Sequence, residues 1–342
     1  MVRIGLLGFG FMGATHYQIY QDIPDATVVE VFDYEPEKLK RGEVATGNIG
    51  DTGMKLDFTG VKITDNLGEL IESDNTEVID ICLPTYVHSE YTIKALKAGK
   101  HVLCEKPMAL RVEDCDAMLS AAEESQKKLM IAQCVRFWPE YALTKKLLNE
   151  ERYGEVLSAF FKRLSPTPTW SYGGWLLNEE KSGGALVDLH IHDIDYIVYL
   201  FGKPNEVSSF GRKNLLNSSS GVDYIVTRYI YDRPYMVIAE GGWHLHSPFP
   251  FNMSFTIRCE KATIWFDSAQ QRTLAIFEED GSTEYPEIPK TTGWEEEIKY
   301  FVNCVANNRI VEISPPEESK LALEIAFAEK SSIERNIPVK IL

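Results

Sequence analysis

The N-terminal pattern is one that few folds can accommodate. Val2–Leu7 is almost wholly apolar, as expected of a parallel strand that is buried on both faces. It leads into a G-x-G-x-x-G sequence at Gly8–Gly13, then into a helical pattern from Ala14 to about Gln21. A second apolar run, Thr27–Asp33, ends in an acid. This order of strand, glycine turn, helix and strand predicts the first unit of a doubly wound α/β sheet.

Each part of this unit can serve the binding of a dinucleotide. Gly8 allows the tight turn, Gly10 lets the backbone approach a pyrophosphate, and Gly13 allows close helix packing. The helix N-terminus faces the phosphates. Asp33 can accept hydrogen bonds from the ribose hydroxyls and would repel a 2′-phosphate, so we predict NAD as the cofactor, with NADP less favoured. Three basic residues nearby can soften that preference, namely Lys38, Lys40 and Arg41.

Strand and helix patterns continue to alternate as far as about residue 135. Glu77–Leu83, His101–Cys104 and Leu129–Val135 have the pattern of strands, and Ser89–Ala98 and Arg111–Lys127 that of helices. The alternation predicts a doubly wound parallel sheet.

Two of these strands end in polar residues, at the edge where open α/β sheets bind ligands. One end is Leu83–His88, and the other is Cys104–Pro107, which contains Glu105 and Lys106. A surface ion pair is the ordinary alternative for Glu105 and Lys106. The predicted cofactor contacts are Gly8, Phe9, Gly10, Phe11, Met12, Gly13, Asp33, Leu83, Pro84, His88, Glu105 and Lys106.

Two segments interrupt the regular patterns. Gly47–Gly60 is rich in Gly and Asp and is interpreted as a surface insertion, and Ser165–Lys181 as a loop over a ligand cleft. Beyond Arg136 the alternation stops, and most later segments are strand-like, with polar residues alternating with apolar ones. Because 342 residues are many for one core, we expect two domains, residues 1–130 and 131–342.

Ser182–Asp195 concentrates three aspartates and two histidines in a short stretch. In a helix, His192 lies about 40° from Asp188 and Asp195 about 20° to its other side, whereas His190 lies about 200° away. In a strand, His190 and His192 would instead share a face and could bind a metal. The apolar pattern that follows favours the helix, so we predict no metal site here.

The motifs together resemble those of the glucose–fructose oxidoreductase/inositol dehydrogenase (Gfo/Idh/MocA) family. The matching segments are G-L-L-G-F-G-F-M-G near the start, C-L-P-T-Y-V-H at 82–88, C-E-K-P at 104–107, V-R-F-W-P at 135–139, G-G-A-L-V-D-L-H-I-H-D-I-D from 183, and 314–342. The resemblance implies a Rossmann domain followed by an α+β domain with a large, open, mostly antiparallel sheet. NAD or NADP is then expected between the domains, and the sheet is expected to form a homo-oligomer.

The resemblance also implies a reacting constellation of Lys106, Asp188 and His192. A neutral imidazole suits removal of a hydroxyl proton near pH 7, and a lysine can stabilise negative charge on the same oxygen. The sequence departs from the family pattern at His190, where a Gly is usual, and at Trp175-Leu176, where Trp-Arg is common. The predicted substrate contacts are Arg136, Trp175 and His190.

We therefore predict an NAD(P)-dependent dehydrogenase that acts on a secondary hydroxyl of a sugar, cyclitol or polyol. An enzyme that retains its NAD and eliminates a glycosidic or similar group through transient oxidation is one alternative. A nucleotide-sensing regulatory protein is another. A metal-dependent hydrolase would require His190 and His192 as ligands.

The composition of the chain limits which partners and which cellular location are expected. The net charge is −16, which disfavours nucleic acid and anionic lipid as partners. There is no apolar run of the length of a membrane span and no export signal, and the six cysteines are scattered, as in a reduced, cytoplasmic protein. A dimer or tetramer built through the C-terminal sheet is expected.

Overall fold

The computed structural model describes residues 1–40 and 56–342. The predicted insertion Gly47–Gly60 is described only from residue 56 onward. Arg41 and the side chains of Lys38 and Lys40 also lie outside the described residues.

The described residues form two compact units. The first comprises Met1–Cys134 with Gly293–Lys320, and the second Val135–Thr292 with Leu321–Leu342. Gly293–Lys320, which the sequence-based boundary assigns to the second domain, thus makes its contacts within the first unit.

The first unit contains a six-stranded sheet. Its strands are β1 (Val2–Leu7), β2 (Ala26–Phe32), β3 (Lys62–Thr64), β4 (Val78–Ile81), β5 (His101–Glu105) and β6 (Leu129–Ala132). All neighbours pair in parallel, in the order β3-β2-β1-β4-β5-β6. The strand order reverses between β1 and β4, which is where sheets of this kind bind ligands. The predicted Rossmann fold is confirmed.

Helices connect these strands. They are α1 (Phe11–Gln21), α2 (Pro36–Lys40), α3 (Leu67–Glu72), α4 (His88–Lys97) and α5 (Val112–Ser125). The apolar strand residues explain the layering, because Ile4, Leu6 and Leu7 are completely buried. All four residues of β4 are buried too, although one of them is Asp80.

The second unit contains a nine-stranded sheet. Its strands are β7 (Val156–Pro166), β8 (Glu206–Lys213), β9 (Val222–Ile230), β10 (Met236–Leu245), β11 (Asn252–Cys259), β12 (Ala262–Asp267), β13 (Leu274–Glu278), β14 (Thr283–Glu284) and β15 (Val339–Lys340). The order is β14-β13-β12-β11-β7-β10-β9-β8-β15. The β7–β10 pair is parallel and the other pairs are antiparallel. The predicted large, mostly antiparallel sheet is confirmed.

The helices of the second unit include α6 (Pro139–Asn149), α7 (Glu179–Ser182), α8 (Gly184–Asp188) and α9 (Ile191–Phe201). Ser165–Lys181, predicted as a loop, in fact carries a 3₁₀ segment at Tyr172–Leu177 and the start of α7. Two more helices lie between β14 and β15 in the chain: α10 (Gly293–Ala306), which belongs to the first unit and packs on α1 and β1, and α11 (Pro316–Arg335), whose residues from Leu321 belong to the second. Among the described helices, none is long and apolar enough to cross a membrane.

The two faces of the second sheet differ in exposure. On β7, Ala159, Phe161 and Arg163 are buried, while Phe160 between them is 40% exposed. On β10, Val237 and Ala239 are buried in the same alternation. One face therefore carries the core, and the other leaves part of its apolar side chains in contact with solvent.

Candidate active site

The glycine-rich turn after β1 has the shape that a pyrophosphate requires. Gly8 has φ +90°, a value that L side chains rarely adopt. A Cβ at Gly13 would lie 2.0 Å from the Gly8 carbonyl oxygen, so the helix can approach the turn only without a side chain there. A Cβ at Gly10 would have no atom within 4 Å, which leaves open space over the N-terminus of α1.

Asp33, directly after β2, braces this turn. Its Oδ2 accepts a hydrogen bond from the backbone N–H of Phe9 at 2.9 Å, and its Oδ1 accepts one from the N–H of Glu35 at 2.8 Å. A carboxylate has about four acceptor positions, so Asp33 retains the capacity to accept from ribose hydroxyls. The residues of this edge thus fit a dinucleotide.

His88 joins the two polar strand ends. Its Nε2 lies 2.7 Å from the carbonyl oxygen of Leu83 and its Nδ1 lies 2.8 Å from that of Pro107. Burial lowers the pKa of the imidazole, although both carbonyl contacts oppose this. Because the ring is 1% exposed, His88 serves the predicted cofactor site by fixing the loops that follow β4 and β5.

Glu105, predicted as a cofactor contact, has its carboxylate in the interior of the first unit. Oε1 lies 3.3 Å from Nε2 of the buried His16, and Oε2 accepts a hydrogen bond from the backbone N–H of Lys106 at 3.1 Å. The sequence patterns missed His16, which follows Gly13 by three residues and is completely buried. Lys106 itself is partly exposed at the end of β5.

The stretch around Asp188 is helical, as predicted. Helices α8 and α9 are separated by Leu189 and His190, and the backbone N–H of His190 still donates to the carbonyl of Ala185 at 2.8 Å. This excludes the strand in which two histidines would share a face. From Gly184 to Val198, the polar side chains that keep partial exposure are those of Asp188 and His192.

Asp193 and Asp195 instead form buried ion pairs. Asp195 binds Arg136 through two bonds, from Nε at 2.7 Å and from Nη2 at 2.6 Å. Asp193 binds Arg163 in the same paired manner, at 2.9 and 3.2 Å. Arg136 is 1% exposed, so the expectation that it contacts the substrate is corrected: the guanidinium holds α9 in place.

His190 also lies in the core. Its Nε2 is 3.3 Å from the Tyr229 hydroxyl and 3.5 Å from a Glu329 carboxyl oxygen, and its ring fills the space over Gly241. Burial lowers the pKa of His190 to about 3 and raises that of Glu329 to about 8, so this is a contact between neutral groups. The predicted substrate contact of His190 is corrected to a packing role. Trp175 remains partly exposed beside Leu176.

Comparison with known proteins identifies the family. Residues 2–133 match the model described as "Oxidoreductase family, NAD-binding Rossmann fold", and residues 141–265 match that of the GFO/IDH/MocA C-terminal domain. The chain belongs to the Gfo/Idh/MocA family. The predicted membership is confirmed, and residues 2–133 of the first unit match the NAD-binding domain of that family.

Relatives within the Gfo/Idh/MocA family differ in activity. The myo-inositol 2-dehydrogenase of Thermotoga maritima is 25% identical over 351 residues, covering 99% of this chain and 98% of the relative. The 2,7-anhydro-N-acetylneuraminate hydratase of Escherichia coli is 30% identical over 221 residues, which are 65% of this chain and 55% of the relative. Several alignments of this kind span about half the length of the curated relatives.

A solved Gfo/Idh/MocA structure shares the fold over nearly the full length. A levoglucosan dehydrogenase, in complex with NADH and levoglucosan, superposes with a TM-score of 0.84 at 23% identity and covers 99% of both chains.

Proposed function

We propose that this chain is an NAD-dependent dehydrogenase that transfers hydride between a secondary hydroxyl of a sugar, cyclitol or polyol and the nicotinamide. The observation that carries the proposal is the exposure pattern of α8 and α9. Three of the five acidic and histidine side chains there are buried in structural contacts, while Asp188 and His192 keep partial exposure. The partial exposure of these two side chains is consistent with contact with a ligand.

Three side chains have separate roles in the proposed reaction. His192 takes the proton of the substrate hydroxyl, for which a neutral imidazole is suited near pH 7. Lys106 donates a hydrogen bond to the same oxygen and stabilises the negative charge that develops there. Asp188 positions the substrate and His192. NAD, when bound along the glycine-rich turn, supplies the acceptor for the hydride.

Substitution of the two reacting side chains tests this assignment. His192→Ala and Lys106→Ala should each lower kcat about 10²- to 10⁴-fold, the range of a lost general base or charge stabiliser. NAD affinity and the circular dichroism spectrum should change little. The matched controls are His246→Ala and Lys97→Ala, both at exposed positions. Turnover near the wild-type value in either active-site variant would contradict the proposal.

The hydratase among the relatives supports a second candidate, an enzyme that oxidises its substrate only transiently. Such an enzyme returns the hydride within each cycle, so NADH does not accumulate. Incubation with NAD and a panel of sugars, inositols and sugar acids, followed by absorbance of reduced nicotinamide and by analysis of products, separates the two. Product formation without stoichiometric NADH would favour the second candidate.

We further propose that the protein is a cytoplasmic homo-oligomer that associates through the open face of its second sheet, as a dimer or tetramer. On that face, Phe160 is 40% exposed and pairs with Ile238 on the next strand, and Phe210 is 67% exposed. Light scattering should give a mass that is a multiple of 38.8 kDa for the wild type and a smaller one for Phe160→Asp. A monomeric wild type would contradict this. Nucleic acid and membranes are not proposed as partners, because the chain is strongly acidic.

A further inference from the structure

Inside the first unit, several ionisable side chains surround the imidazole of His16 on α1. Its Nδ1 lies 2.8 Å from Oδ2 of Asp80 on β4, and its Nε2 lies 3.3 Å from Oε1 of Glu105 on β5. Glu297, from α10, also approaches His16 and Glu105. The ligand atoms of His16, Glu105 and Glu297 lie within 4.8 Å of one another, and we call these three residues the His16 cluster.

Three carboxylates surround His16, those of Glu105 and Glu297 in the cluster and that of Asp80 beside it, and all three are buried. His16, Asp80 and Glu297 have 0% exposure and Glu105 has 6%. Within residues 1–40 and 56–342, no lysine or arginine forms an ion pair with any of the three carboxylates. Burial of carboxylates is costly, and the imidazole of His16 can carry one positive charge at most, so protons or a bound cation must compensate the remaining charge.

Two members of the cluster also have unused polar atoms. Neither carboxyl oxygen of Glu297 has a hydrogen-bond partner among the described atoms, and neither does Nε2 of His16. A cation bound between these side chains would give the unused atoms a partner.

The geometry around His16 is that of a metal ligand with its supporting residue. A ligating histidine usually donates its other ring N–H to a carboxylate, which is the relation of His16 Nδ1 to Asp80. Two ligands at about 2.0–2.1 Å from a tetrahedral zinc ion lie about 3.3 Å apart. The separation of His16 Nε2 and Glu105 Oε1 is 3.3 Å. One proton can bridge only two of the converging atoms, whereas one metal ion can bind all three.

We propose that the His16 cluster binds a divalent transition-metal ion, with His16 Nε2 and the carboxylates of Glu105 and Glu297 as its ligands. One imidazole and two carboxylates suit Zn²⁺ and similar ions. This departs from the sequence-based expectation of no metal. The site has a structural role, because it ties α1, β5 and α10 together. It also fixes Glu105, whose second oxygen accepts the backbone N–H of Lys106.

Metal content of the full chain tests the proposal independently of any activity. Protein produced with zinc in the medium and then dialysed should retain one equivalent of zinc per chain. Glu297→Gln preserves the shape of the side chain but removes its charge, and should lower zinc affinity at least tenfold. Glu30→Gln is the matched control: Glu30 is a buried glutamate of the same unit, bound instead to Ser73 and Lys62, and its substitution should leave zinc content unchanged.

A second measurement uses the wild type alone, in case Glu297→Gln does not fold. Cobalt(II) added to chelator-treated protein should produce visible d–d absorption that saturates at one equivalent and is abolished by zinc. The proposal is overturned if the wild type retains no zinc and binds no cobalt, in which case protons balance the cluster. It is also overturned if folded Glu297→Gln retains as much zinc as the wild type.

Discussion

The close contact between His190 and Gly241 can be tested by adding a side chain at Gly241 and removing the one at His190. The Cβ of an alanine at position 241 would lie 2.4 Å from Nδ1, 2.9 Å from Cγ and 3.1 Å from Cβ of His190. Ordinary van der Waals contact begins near 3.4 Å, so the imidazole would have to move by about 1 Å. Because His190 is completely buried, the ring cannot move into solvent. Gly241→Ala should therefore lower the free energy of unfolding by about 1–3 kcal/mol.

Removal of the ring should relieve this overlap. His190 precedes α9 with helical φ and ψ, so His190→Gly should lose the buried ring, about 3 kcal/mol, and a further ~1 kcal/mol for glycine in a helical conformation. In that background the alanine at 241 meets no imidazole, and its own cost should fall below about 0.5 kcal/mol. The double-mutant cycle should thus give a favourable coupling of about 1–3 kcal/mol.

Urea unfolding of the wild type, the two single variants and the double variant, followed by circular dichroism, measures all four corners of the cycle. Gly68→Ala is the control for a glycine change without overlap, because its Cβ would lie 3.6 Å from the nearest atom. If the two single effects add to within about 0.5 kcal/mol, the residues do not compete for the same space and the reasoning is refuted.

Three further predictions concern single residues. Gly13→Ala should weaken NAD binding at least tenfold, measured by calorimetry, since its Cβ would lie 2.0 Å from the Gly8 carbonyl oxygen and displace the turn; unchanged affinity would contradict this. Asp195→Asn should cost about 3–5 kcal/mol in urea unfolding because the guanidinium of Arg136 would lose its buried counter-ion; a cost below 1 kcal/mol would contradict a buried pair. For Glu329, the folded-state pKa is raised to about 8, so the native protein holds a proton that the unfolded chain releases near pH 4.5. The stability from this carboxyl is complete below about pH 4.5 and is lost as the pH rises towards 8, by up to about 1.4 kcal/mol per pH unit. Glu329→Gln should remove this loss, and equal pH profiles for wild type and variant would contradict the assignment.

The sequence predicts the secondary structure well where periodicity is strong. The bounds of β1 agree with the predicted ones because a strand that is apolar except at Arg3 and ends at a glycine-rich turn leaves little ambiguity. The sequence does not predict β3, β14 or β15. These strands are two or three residues long and form only by pairing with the edge strand of a sheet. Nor could local patterns show that the chain between residues 293 and 320 packs on the first sheet, since such a contact depends on tertiary structure.

For the candidate site, helical spacing separates His190 from His192 and gathers Asp188 with His192. Helical spacing does not show how deeply each side chain is buried. Asp195 lies on the same helical face as Asp188 and His192 but further along the chain, where its carboxylate is buried in an ion pair with Arg136. The His16 cluster is missed because Glu297 is distant in sequence from the residues it meets. A signal for it was present, since Asp80 is a charge in the middle of a strand buried on both faces.

The discontinuity of the first unit has a consequence for synthesis. A ribosome releases the six strands of the parallel sheet long before it makes α10, because the whole of the second sheet except β15 is encoded between them. Until then, the surfaces of α1 and β1 that α10 covers stay open, and the interior around His16 lacks one of its walls. The nascent NAD-binding domain therefore remains incomplete during the synthesis of some 160 residues that belong to the second unit. A fragment ending at the first boundary would remain in that state permanently.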